Sequence, residues 1–134
     1  MDYVIGFNKA PSCYWSEHAK IEHLQRRILL YSYMYYKMNV NVVSDYDYDA
    51  ICYQLVDMQS KADPKALKRT KYYYVFKDFD GHTGFHLISG LTNTDRCYID
   101  GLANMVYDAY ESATTPEQRI LLSKGLYHPK SYIN

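Results

Sequence analysis

Three cysteines are all the chain has, and Cys13, Cys52 and Cys97 lie far apart with no C-x-x-C pair among them. An odd, scattered set of this kind argues against a zinc site and against a disulfide framework. Long apolar runs are also missing. The most apolar stretch, Ile28 to Tyr36, is interrupted by Ser32 and falls far short of the roughly 20 residues that span a bilayer. The opening MDYVIGFNK carries an early acid and no apolar core, so no signal peptide is expected. Charge of one sign is lacking too: Lys plus Arg and Asp plus Glu number 15 each. No global field therefore draws the chain to nucleic acid or membrane. There is no P-loop, G-x-G-x-x-G, G-x-S-x-G or H-E-x-x-H, and no internal repeat. These absences point to a reduced, cytoplasmic, non-membrane protein without a standard catalytic motif.

What is abundant is tyrosine, with 17 copies where ordinary usage gives roughly four. Tyrosine joins a large apolar body to a polar tip, which suits half-buried positions and interfaces. Part of the excess is expected to form a binding surface. The length of 134 residues fits a single domain, here 1–134, with a real core.

Periodicity divides that domain. After an irregular lead-in, Ser16 precedes a long helix over Glu17 to Met38. Ile21, Leu24, Ile28, Tyr31, Tyr35 and Met38 form one apolar stripe along it. Asn39 to Val43 break it. Ser44 is a good N-cap, with Asp47 placed for a capping box, and a second helix runs to about Gln59. Its inward residues are Tyr48, Ile51, Cys52, Leu55 and Met58. Ser60 to Lys71 read as an exposed basic connector, with Lys61, Lys65, Lys68, Arg69 and Lys71 around Pro64.

From residue 72 the composition shifts. Tyr72 to Lys77 and Phe85 to Ser89 are β-prone and flank a turn-rich Asp78 to Gly84, which predicts a hairpin. A third helix follows from Thr94 to about Ser112, with Ile99, Leu102, Met105, Val106 and Ala109 on one face. Thr115, Pro116 and Gly125 bracket a short fourth. The expected class is α+β: mainly helical, with one hairpin.

The residues around the first helix junction carry the functional signal. Asp45, Tyr48 and Asp49 stand at i, i+3 and i+4 and so share a helical face, opposite Tyr35 and Tyr36 at the end of the helix before. This pattern, a Tyr pair, a short turn and the run Ser44 to Asp49, resembles the N-terminal Ia segment of NAD-dependent DNA ligases over residues 16–60. The resemblance implies an antiparallel helix pair that grips the nicotinamide mononucleotide half of NAD. It further implies that Tyr35 and Tyr48 stack on the ring and that Asp45 and Asp49 accept hydrogen bonds. Many family members have His at the position of Tyr36. A Tyr there donates to phosphate but carries no positive charge near neutral pH. The same residues also have a plain structural role: Val43 and Tyr48 as a hydrophobic staple around Ser44, and the acids as good company for a helix N-terminus.

A whole ligase does not fit in this chain. Lys77-Asp78-Phe79-Asp80-Gly81 has one residue too many for the family's K-x-D-G nucleophile motif, and Asp-Gly is ordinary turn chemistry. No catalytic residue is assigned. His82 and His86 with Asp78 and Asp80 match no standard metal site, so no metal and no required cofactor are expected. The basic run before Tyr72, Tyr73 and Tyr74 superficially resembles a single-strand surface, but charged connectors are usually only solvated. The leading expectation is a stand-alone, phage-type, non-catalytic protein that binds and modulates or inhibits a host protein such as a defence enzyme. The alternatives are a protein that binds nicotinamide mononucleotide or NAD, and an accessory subunit of a split ligase.

Overall fold

A computed structural model describes residues 15–81, 84–112 and 115–117. Six helices follow one another among these described residues: α1 Glu17–Met38, α2 Asp45–Lys61, α3 Pro64–Lys68, α4 Tyr73–Phe76, α5 Phe85–Ser89 and α6 Asn93–Ser112. Helix α1 is the hub, with α2, α3, α5 and α6 all packed on it. It is therefore buried well beyond one stripe: Ile21, Leu24, Ile28, Leu29, Leu30, Tyr31 and Met34 are all in the core. Complete burial of a side chain such as Leu24 contributes about 1.5–3 kcal/mol.

Helix α1 begins and ends for identifiable reasons. Ser16 Oγ accepts from the Ala19 amide at 3.2 Å. At the other end Asn39 takes the left-handed conformation at φ 55°, and the Val40 amide reaches back to the Met34 carbonyl at 3.0 Å. That is how helices are commonly stopped, and Asn tolerates the left-handed region better than most residues. Val42 and Val43 then bury in the core, and Ser44 Oγ caps α2 by accepting from the Asp47 amide at 3.1 Å. Ser32 meets Tyr48 while Gln25, earlier in α1, meets Gln59, later in α2. The two helices thus run antiparallel.

A buried polar chain fastens the next segment. Gln25 Nε2 donates to Gln59 Oε1 at 3.1 Å and to Thr70 Oγ1 at 3.2 Å, and Gln59 Nε2 donates to the Phe76 carbonyl at 3.2 Å. Thr92 caps α6 by accepting from the Asp95 amide at 3.1 Å. Tyr33 and Tyr74 donate to Asp100 at 2.6 Å and Asp95 at 2.5 Å, tying α1 and α4 to α6.

The expected hairpin is not formed, and the α+β class is corrected to all-helical: there is no strand among the described residues. Tyr72 and Phe76, four apart, are both fully buried, and Leu87, Ile88 and Leu91 are buried at a helical spacing. An isolated two-stranded hairpin is marginal at best in water, whereas single helical turns bury these side chains in the core. Asp78 to Gly81 is a turn between helices, and Gly81 supplies its positive φ of 91°. The lead-in before residue 15, His82, and the bulk of the expected fourth helix lie outside the described residues. No helix among those described is long and apolar enough to cross a membrane.

Candidate functional site

The junction between α1 and α2 encloses a cavity of about 200 Å³, lined by Tyr31, Ser32, Tyr35, Tyr36, Asn41, Val43, Asp45 and Tyr48. Each wall follows from local chain behaviour. Tyr31, Ser32 and Tyr35 stand at i, i+1 and i+4 on α1, so one face presents them together. The left-handed turn at Asn39 swings the chain back, placing Asn41 and Val43 across the floor. The Ser44 cap starts α2 with Asp45 and Tyr48 one turn apart.

Tyr48 is a wall held from two sides. Its hydroxyl and Ser32 Oγ are 2.8 Å apart, and Gly84 lies directly over that bond. A Cβ at Gly84 would collide with Ser32 Oγ and stand only 2.5 Å from the Tyr48 hydroxyl. Burial pushes the Tyr48 phenol well above its ordinary value, against the pull of the Ser32 hydrogen bond, so it stays a neutral hydroxyl. Burial likewise raises Tyr31, opposed by the Arg27 guanidinium, which lies 5.9 Å from the Tyr31 ring centroid.

Tyr35 and Tyr36 line the mouth and are 54% and 41% exposed. Their rings meet edge to face at 4.9 Å, and Tyr36 meets Phe85 at 5.4 Å in the same manner. An aromatic chain therefore runs from the cavity onto α5, geometry that aromatic pairs prefer.

Of the five residues singled out from the sequence, Tyr35, Tyr36, Asp45 and Tyr48 come together around this cavity. Asp49 does not line it. At 3.6 residues per turn Asp49 stands about 100° round the helix from Tyr48, on the other side of Asp45, and its side chain is much shorter. Its charge acts on Cys52 instead: burial pushes that thiol up to about 11, a hydrogen bond with Tyr48 opposes this, and Asp49 adds to the rise.

Tyr31 and Ser32 were legible as neighbours of Tyr35 on the helix face. Gly84 had no sequence signal, because it arrives from a distant segment.

A second, more open groove of about 330 Å³ lies between Trp15, His18, Ala19, Glu22, His23 and Arg26. It is already laced with internal contacts. Trp15 and His23 meet edge to face at 5.0 Å, and Glu22 pairs with Arg26 at 3.3 Å. Lys77 follows α4 as its C-cap. Among the described residues there is no group of three or more His, Cys, Asp or Glu that could hold a metal. Against known proteins, no family model matches the chain, and neither a curated protein nor a solved structure does.

Proposed function

We propose that the chain is a non-catalytic binding protein whose site is the tyrosine cavity, and that its ligand there is the nicotinamide-ribose part of a nicotinamide nucleotide. The observation that supports this reading is the convergence of Tyr35, Tyr36, Asp45 and Tyr48 on one cavity from two helices. Aromatic walls receive a flat ring. Asp45 and Asn41 offer acceptors for the carboxamide or the ribose hydroxyls, and Tyr48, held by Ser32, is a preorganised wall. Size sets the extent of the ligand. Drug-sized sites measure about 300–1,000 Å³, so this smaller cavity takes a ring and sugar while the adenylate half of NAD stays outside. The N-terminal Ia segment of NAD-dependent ligases is the resemblance behind the ligand choice. Calorimetry with nicotinamide mononucleotide tests it: binding with a Kd below about 1 mM, or at least ~4 kcal/mol, is expected, and no heat at millimolar ligand overturns it.

The reading is non-catalytic because Lys77 sits one residue too far from Asp80-Gly81 for the ligase nucleophile motif. Labelled NAD or ATP should leave the protein unlabelled, and a stable adenylate on Lys77 would refute this. An accessory role in a split ligase would need a separate adenylation chain.

One observation favours a second reading, the engagement of a host protein by a phage-type modulator. Tyr35, Tyr36 and Phe85 form an exposed aromatic chain, and Tyr46 on α2 is 82% exposed. Tyr and Phe are enriched in the cores of protein interfaces. A partner recovered from bacterial lysate by the parent, and lost with Tyr36→Ser plus Phe85→Ser, would support it. Recovery unchanged by the pair would count against it.

A further inference from the structure

We infer that the tyrosine cavity selects a positively charged flat ring, an N-substituted pyridinium or a comparable quaternary ammonium group, over its neutral counterpart. The inference rests on the cavity being a ligand site and deepens the nicotinamide reading by assigning the charge state it takes. Four of the eight lining residues are tyrosines, one is Asp45, and the remaining Ser32, Asn41 and Val43 are neutral. Among the described residues, no Lys, Arg or His lines it. Aromatic faces carry the negative part of a quadrupole, and rings gathered around a cation are a recurring means of holding quaternary nitrogen.

The charges flanking the cavity lean the same way. Asp47 and Asp49 follow Asp45 in the first turns of α2, all exposed, and outnumber Lys37 in the last turn of α1. The C-terminal carbonyls of α1 add partial negative charge at the Tyr35–Tyr36 side. The partial positive charge at the start of α2 is met by its Ser44 cap and by Asp45 and Asp47 in its first turn. Arg27 is an opposing group beside one of the rings. It stands over Tyr31 but is not part of the lining, so the ligand's charge falls to the other rings and to Asp45. Burial keeps the Tyr48 phenol neutral, leaving its ring available as a face without adding a labile charge.

The test is calorimetry with matched probes: 1-methylnicotinamide, which is a cation, against nicotinamide, which is neutral, with nicotinamide mononucleotide and benzyltrimethylammonium in parallel. The cation should bind about tenfold more tightly than its neutral partner. Asp45→Asn and Tyr35→Leu, both at exposed positions, should each reduce that preference. Equal binding of the two probes, or a preference unchanged in both variants, overturns the inference, and bound nicotinamide mononucleotide would then leave the ligand reading intact. Binding of benzyltrimethylammonium and 1-methylnicotinamide without nicotinamide mononucleotide sustains the inference and defeats the nucleotide reading. No binding of any probe defeats both.

Discussion

Tyr48 and Asp45 occupy the same first turns of α2 but contribute by different physics. A ring that stacks on a ligand is worth about 1–3 kcal/mol by analogy with base–aromatic stacking, while an exposed carboxylate, screened by solvent, contributes about 0–1 kcal/mol by accepting a hydrogen bond or facing a ligand's charge. Tyr48→Ala should therefore cost more affinity for nicotinamide mononucleotide than Asp45→Asn, measured by calorimetry where both variants are folded. Gly84 makes a sharper case. Its missing side chain is what lets α5 approach the Ser32–Tyr48 bond. Gly84→Ala should destabilise the fold by about 1–3 kcal/mol, as overpacking does, and weaken ligand binding by displacing Tyr48. Denaturant unfolding checks the first and calorimetry the second. Unchanged stability would mean that α5 does not sit where it is described.

At the scale of elements, caps and stripes were the legible part of the sequence. Ser16 and Ser44 are local signals acting on their own chain neighbours, and α1 runs over Glu17–Met38 as its stripe and caps dictate. The 72–89 segment was illegible for the opposite reason. Tyr, Val and Phe favour strands when half-buried on a sheet, but here the helical spacing of Tyr72 with Phe76 meets α1 and its neighbours. The deciding contacts come from residues dozens of positions away. The candidate site divides along the same line, with the junction residues readable and the Gly84 backing not. Because Ser44 starts the helix that carries Asp45 and Tyr48, Ser44→Ala should cost about 1 kcal/mol of stability. It should also loosen amide protection in the first turn of α2, read by hydrogen exchange. Ser60→Ala, at the far end of α2, serves as the control.

Across the whole molecule, phenols bind the helices together, and this sets a limit at high pH. The Tyr33 hydroxyl is pushed up to about 12 from 10.0, first by its hydrogen bond to Asp100, and Tyr72 rises to about 12 through burial. Both groups are neutral when protonated, and the fold favours that form. Their contribution is fully present below pH 10, the unfolded value, and is lost as pH climbs through 12. Thermal stability should accordingly fall across this window, and Tyr33→Phe should flatten part of the fall. A stability that holds to pH 12 would be inconsistent with these phenols being folded as described.

The most direct measurement is a heteronuclear NMR titration of the isotope-labelled chain with nicotinamide mononucleotide. The proposed site requires saturable shifts concentrated at Tyr31, Ser32, Asn41, Asp45 and Tyr48, with the Trp15–Arg26 groove unmoved. Shifts confined to that groove, or none at millimolar ligand, would contradict it.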